Sequence, residues 1–230
     1  MLFLNHTYPT PPENLAIDEH LLQQVDKGHY PEGLCRAWES PNYFVVLGLS
    51  KSVDIDVHLN ECRDLHIPIY KRCSGGGTVL QGPGCFNYAF ILPINASPEL
   101  AAITSTTSYI LSMVQRILLP VIGPTQQQGI SDLTINNVKF SGNAQRRLKN
   151  ALLFHGTILY DFDISMVTQT LTNPPIQPDY RRHRSHQSFI QNIPIASQQL
   201  APLFSSVTTH PLSPLDVPIP PHLLDKYQPI

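Results

Sequence analysis

Residues 131–160 hold three strand-like runs separated by two very short polar links, and this leaves the chain few choices. Asn136–Asn137 joins SDLTI to VKFSG, and Lys149–Asn150 joins NAQRRL to ALLFHGTILY. A two-residue link can only connect antiparallel neighbours, and Asn tolerates the positive φ that such turns demand. The segment therefore predicts a three-stranded antiparallel sheet whose register follows by counting outward from each turn. Lys139 then faces Thr134, Ser141 faces Asp132, and His155 faces Ala144. Alternation along the strands puts Asp132, Thr134, Lys139 and Ser141 on one face.

The flanking text supplies partners for this sheet. In residues 13–27, Leu15, Ile17, Leu21, Leu22 and Val25 recur at helical spacing, with acids early and Lys27–Gly28 at the end. Residues 43–49, 67–72 and 85–92 are short, β-branched or aromatic, and bounded by Gly, Pro or Ser, which predicts strands. In the last, Phe86, Tyr88 and Phe90 would share one side, with Asn87 and Ala89 on the other. Residues 98–119 place Leu100, Ile103, Ile110, Val114 and Ile117 on one helical face. Helices mixed with antiparallel strands indicate an α+β class: a mixed, mostly antiparallel sheet flanked by helices. Proline is frequent, 22 in 230 residues, and periodicity fades after about residue 165. The expectation is one domain over 1–230, with an irregular Pro-rich extension from about 170 and an extended, packed-down tail.

At 42% hydrophobic the chain can bury a sizeable core, and a formal net charge of −2 gives no global attraction to nucleic acid or to an anionic membrane. The N-terminal MLFLNHTYPTPPEN lacks a basic region followed by an apolar stretch, so no signal peptide is expected. No run approaches the ~18 apolar residues of a membrane span. Cys35, Cys62, Cys73 and Cys85 show no metal or disulfide spacing, which predicts reduced, partly buried thiols and a cytoplasmic location.

Four constellations are candidates for chemistry. Arg72-Cys73-Ser74-Gly75-Gly76-Gly77-Thr78 follows a predicted strand. Three glycines clear one wall of side chains, so that a ligand can reach backbone N–H groups, and Arg72 beside them can grip a phosphate or carboxylate. A sharp turn between strands would use the same residues. Asp132 and Lys139 on one face are either an exposed ion pair or a phosphate-placing acid with a lysine that steadies developing charge. His155, in Phe154-His155-Gly156-Thr157, is either a structural histidine or part of that site. Tyr180-Arg181-Arg182-His183-Arg184-Ser185-His186 reads as a solvated basic loop or a docking surface for an acidic partner. It does not read as a nucleic-acid patch, and His183 with His186 lacks a third metal ligand.

In order, these residues resemble the lipoate–protein ligase A family, within the biotin/lipoate protein ligase catalytic-domain superfamily. Arg72-Cys73-Ser74-Gly75-Gly76-Gly77-Thr78-Val79 with Asn87-Tyr88-Ala89-Phe90 is similar to its RRxSGGGxV…NxxF signature. Asp132-Leu133 with Lys139-Phe140-Ser141-Gly142-Asn143-Ala144-Gln145 is similar to NDL…KxSGxAQ, and Phe154-His155-Gly156-Thr157-Ile158-Leu159 to HHGTLL. Asn14-Leu15-Ala16-Ile17-Asp18-Glu19 resembles the opening helix. The resemblance covers roughly residues 10–165. Ser131 stands where the family often has Asn, and Cys73 interrupts the Gly-rich motif.

The resemblance implies a fold related to biotin–protein ligases and class II tRNA synthetases. It implies a ligase that activates lipoate or octanoate with ATP and magnesium to lipoyl-AMP or its octanoyl counterpart, then acylates a lysine of a lipoyl domain, either a 2-oxoacid dehydrogenase E2 or a glycine-cleavage H protein. Lys139 would be catalytic, holding the acyl carboxyl oxygen and the α-phosphate. Asp132 would place Mg-ATP, Arg72 would face the phosphates, and Ser74, Gly75, Gly76, Gly77 and Thr78 would line the acyl slot. Asn87, Ser141, Gly142, Ala144, His155, Gly156 and Thr157 complete the implied substrate- and nucleotide-binding set. Many such ligases carry an accessory C-terminal domain, fused or as a separate chain. None is recognised in this sequence, so a separate accessory chain is an implied partner. The alternatives are an octanoyl- or lipoyltransferase fed by an acyl carrier or a lipoylated protein, and a catalytically weak lipoate-binding paralogue. The transferase needs a thiol where this sequence has Leu152 or the cysteine-free stretch 124–130, which favours adenylate chemistry.

Overall fold

A computed structural model describes residues 1–230. The chain opens with β1 (Leu2–Asn5), α1 (Pro11–Asp26), β2 (Leu34–Glu39), β3 (Phe44–Leu47), α2 (Val53–Asp56), α3 (Leu59–Asp64), β4 (Ile69–Lys71), β5 (Val79–Gln81) and β6 (Cys85–Pro93). It continues through α4 (Ile103–Ile122), β7 (Gln126–Gln128), β8 (Asp132–Ile135), β9 (Val138–Arg147), β10 (Ala151–Leu159) and α5 (Ile164–Thr170). Last come α6 (His186–Phe189), α7 (Ser197–Ser205), β11 (His210–Pro211) and α8 (Pro221–Lys226). Eight strands form one sheet in the order β11-β1-β2-β6-β10-β9-β8-β7, and β4-β3-β5 form a second. Only β1–β2, β1–β11 and β3–β4 pair in parallel, so the fold is α+β around a mixed, mostly antiparallel sheet. No helix is long and apolar enough to cross a membrane.

Both hairpins form where the polar links stand. Asn136 and Asn137 adopt φ of 52° and 63°, and the register places Thr134 opposite Lys139 and His155 opposite Ala144. The alternation in β6 also holds. Phe86, Tyr88 and Phe90 join Ile110, Val114 and Ile117 of α4 and Leu200 and Phe204 of α7 in one core. Ala89 and Ile91 face the other way, onto Ile17, Leu21, Leu22 and Val25 of α1. Burying such side chains contributes about 1.5–3 kcal/mol each, which clamps the sheet between helices. Ile103 departs from expectation: it opens α4 and is 61% exposed.

Helix α1 starts where Glu13 accepts the Thr10 N–H, 2.8 Å, and Pro11 needs no donor. Its buried polar side chains have a specific partner. Asn14 and Asp18 receive the fully buried Arg36 guanidinium at 2.6 and 2.7 Å, which ties the helix to β2.

The sequence after residue 170 is more ordered than an irregular extension. Helices α6, α7 and α8 bury Phe189, Leu200, Phe204 and Leu223. Tyr227 donates to Glu19 at 2.5 Å, where Lys226 also pairs, so the tail is fastened to α1. Short helices broken by proline carry too few turns to show periodicity in the sequence.

Candidate active site

One cross-strand row organises the site. Ala144 of β9, His155 of β10, Ala89 of β6 and Arg36 of β2 lie side by side on the face that α1 covers. The next row carries Thr157, Asn87 and Trp38. Beyond the end of α1 the Gly-rich loop takes over as cover, because the small Ala89 and Ala144 leave room for backbone. A Cβ on Gly76 would sit 3.2 Å from the Ala144 methyl and 2.9 Å from Arg72 Nη2, and Gly76 has a φ of +90°. A side chain here would be strained and would fill the gap between loop and sheet. Gly48, which the sequence did not single out, lies against Gly76 so closely that a Cβ would overlap the Gly76 carbonyl.

Arg72 holds this loop from inside. Its Nη2 donates to Gly75 O at 2.6 Å and Gly77 O at 2.8 Å, and its Nε to Ser74 Oγ at 2.9 Å. The guanidinium is occupied by the loop's own carbonyls, and burial pushes Arg72 down to about 10. No carboxylate pairs with it, so its charge remains uncompensated beneath the glycines. Ser74 Oγ lies 2.6 Å from His155 Nε2. Ser74 accepts from Arg72 and shares a second hydrogen bond with His155, so it links the buried guanidinium to β10. Burial and the Arg72 charge push His155 down to about 3. His155 is thus neutral and bolts loop to sheet. Thr78 Oγ1 is buried with no hydrogen-bond partner, and Gly75, Gly76 and Gly77 keep one wall free of side chains.

The hairpin of β8 and β9 supplies the charged groups. Lys139 Nζ lies 2.7 Å from Asp132 Oδ1, both partly exposed. Gly142 makes room for this pair, since a Cβ there would come 2.8 Å from Lys139 Nζ. The expected opposition of Ser141 to Asp132 is corrected. The ladder shifts between Leu133 and Thr134, so Ser141 opposes Leu133 and Asp132 opposes Gly142. Phe140 is the extra residue of this bulge. It is drawn into the core beside Leu133, and Ser141 turns to Asn143 at 3.2 Å, on the Tyr88 side of the sheet.

Asn143 frames the strand ends. It accepts from Tyr88 Oη and donates to Ser131 O at 2.8 Å, while Ser131 Oγ returns a bond to Asn143 O at 2.6 Å. Gly156 is required by this amide, because a Cβ there would overlap it and come 2.7 Å from Tyr88 Oη. Asn87 is buried and donates to Cys85 O at 3.2 Å.

Two features escaped the sequence. Tyr180 Oη donates to Asp132 Oδ2 at 2.6 Å, so the segment read as a solvated basic loop or a docking surface lies over the hairpin. Within it Arg181 is 4% exposed, and Arg184 reaches Asn137 O at 2.8 Å. A contact across 48 residues leaves no local pattern. The second is the fate of the thiols. All four cysteines are free and buried, burial pushes Cys73 up to about 11 and drives Cys35 and Cys85 higher still, and none is a ready nucleophile. No three His, Cys, Asp or Glu side chains gather as a metal cage. A magnesium ion here would be held by Asp132 together with the oxygens of a nucleotide that carries it in.

Residues 10–202 match the family model for the lipoyl protein ligase A/B catalytic domain. A probable lipoate-protein ligase A from Mycoplasma genitalium is 32% identical over 158 residues, 69% of this chain and 45% of that protein. The chain spans about half the length of the curated relatives it matches. A crystal structure of lipoate-protein ligase A bound with ATP aligns with 98% of this chain and 94% of its own, with a TM-score of 0.78 at 18% identity. A bi-partite lipoate protein ligase from Thermoplasma acidophilum, studied with its E2 lipoyl domain, aligns with 98% of this chain and 92% of its own, at 0.76 and 19%. At such identities these structures speak for the fold.

Proposed function

The chain belongs to the lipoyl protein ligase A/B catalytic-domain family, and from that premise we propose that it is a lipoate–protein ligase that works through an acyl-adenylate. The carrying observation is the Lys139–Asp132 pair, 2.7 Å apart on Gly142, on the sheet that the side-chain-free Gly-rich loop covers. In the first step a carboxylate oxygen of lipoate or octanoate attacks the α-phosphorus of ATP and pyrophosphate leaves. Lys139 bears on both the carboxylate and the α-phosphate, where its charge offsets the charge that develops. Asp132 would hold the magnesium that accompanies the nucleotide, whose charge would offset that of the phosphates. In the second step a lysine amine of the acceptor attacks the acyl carbonyl, AMP leaves, and an amide forms.

The Gly-rich loop has the right character for the acyl slot. Its backbone approaches the ligand closely, its buried Thr78 hydroxyl lacks a partner, and Arg72 stiffens it while adding positive potential from beneath. His155, neutral and bonded to Ser74, fixes the loop and takes no proton. Thr157, Asn87 and Ala144 lie in or beside the same rows. The acceptor is a lipoyl domain of an E2 or H protein, and a separate accessory chain is a further partner, as the bi-partite archaeal ligase suggests. The transferase reading needs an exposed thiolate, and the four buried thiols weigh against it.

Intact mass of an apo lipoyl domain incubated with the chain, lipoate and Mg-ATP tests the reading. The expected result is the lipoyl mass gain, dependent on ATP and lost in Lys139→Ala. A gain that persists without ATP from an acylated carrier protein would replace the ligase with the transferase. Wild-type turnover in Lys139→Ala would remove Lys139 from the mechanism.

A further inference from the structure

Both oxygens of Asp132 are engaged within the protein. Oδ1 holds Lys139 Nζ at 2.7 Å, and Oδ2 accepts from Tyr180 Oη at 2.6 Å. Tyr180 belongs to a strap that is built onto the hairpin. Arg184 Nη2 donates to Asn137 O at 2.8 Å and to Tyr180 O at 2.9 Å. Gln191 N donates to Lys139 O at 2.8 Å. The Arg181 and Arg184 guanidinium groups lie 4.6 and 5.2 Å from the Phe189 ring centre, and the Tyr180 ring lies 5.2 Å from it. Gly129 clears the space beneath, since a Cβ there would come 3.3 Å from Tyr180 Cε1 and 3.6 Å from Asp132 Oδ2.

Arg182 and His183, the two residues after Arg181, sit in the left-handed region at φ 51° and 56°, a conformation non-glycine residues hold only when contacts impose it. Release of Tyr180 would let that turn relax.

We infer that Tyr180 is a latch. It occupies the Asp132 oxygen that the nucleotide-borne magnesium needs, and nucleotide binding displaces it and swings the strap at Arg182–His183. The inference rests on the functional reading, which gives Asp132 to Mg-ATP. The latch keeps Asp132 aligned and paired with Lys139 while no nucleotide is present, and it sets the affinity for Mg-ATP against the closed strap. Tyr180 therefore acts through Asp132 as a positioning residue.

Calorimetric titration of the full chain with Mg-ATP tests this. Tyr180→Phe keeps the ring on Phe189 and removes only the competing hydroxyl. The expected result is a Kd for Mg-ATP lowered about tenfold, equivalent to about 1.4 kcal/mol, together with a lower ligand-free Tm. Those two changes have opposite signs, whereas a merely structural role would weaken both stability and affinity. Arg184→Gln loosens the strap without touching Asp132 and should shift the Kd in the same direction. Unchanged or weaker Mg-ATP binding in both variants, beside intact wild-type binding, overturns the latch and leaves the ligase reading standing. No Mg-ATP binding by any of the three chains would fail the ligase reading, and the latch with it.

Discussion

Replacing Arg72 with Met separates what its guanidinium does by geometry from what it does by charge. The side chain keeps its length and loses three bonds of 2.6–2.9 Å to Gly75 O, Gly77 O and Ser74 Oγ. A hydrogen bond to a charged group contributes about 1.5–3 kcal/mol, but two effects reduce the total. Gly75 is only half-buried and Gly77 is exposed, so water can replace the lost donors there. Methionine also avoids the desolvation that pushes Arg72 down to about 10. The net loss should be about 2–3 kcal/mol, or about 1 M in the urea midpoint for a slope of roughly 2 kcal/mol/M, followed by the fluorescence of Trp38. The same variant should raise the His155 pKa above about 3, because the Arg72 charge is one of its two depressing causes, and burial should still hold it below the usual histidine range. Arg72→Lys should divide the effects: the fork is lost with its stability, while the charge stays and His155 remains depressed by NMR titration. A midpoint within about 0.2 M of wild type, with an unmoved His155, would refute the loop brace.

His155 also makes stability depend on pH. Its folded pKa of about 3 lies below the unfolded value near 6.5, so between those values the native state binds fewer protons than the unfolded one. Its contribution is thus complete above about 6.5 and is lost on acidification towards 3, with a slope of at most about 1.4 kcal/mol per pH unit. His155→Asn should flatten the urea midpoint against pH in that window, and an identical profile would contradict the assignment. Gly156→Ala should cost about 3 kcal/mol or prevent folding, since its methyl overlaps the Asn143 amide. Gly75→Ala, with nothing within 4 Å, should leave the Tm nearly unchanged, and equal effects of the two would refute the packing argument. Native protein should give no fast reaction with a thiol reagent and four equivalents once unfolded, whereas one fast native equivalent would reopen the transferase reading.

The sequence by itself determined the parts of the fold that neighbours along the chain decide. The links at Asn136–Asn137 and Lys149–Asn150 set two hairpins, and counting from them placed Lys139 opposite Thr134 and His155 opposite Ala144. Alternation sorted β6 onto its two cores, and the glycine triplet marked the loop. Such features are legible because turn geometry and strand period act over a few residues. Competition among distant groups for burial decided the rest. The bulge at Phe140 exists because the core takes that ring, and it turns Ser141 away from Asp132. Arg72 points inward because the loop that follows it folds its carbonyls back over the guanidinium. Tyr180 reaches Asp132, and Tyr227 reaches Glu19, across stretches that carry no period. Desolvation costs and the hydrogen bonds that offset them depend on which surfaces meet, so only the tertiary structure shows where these side chains end.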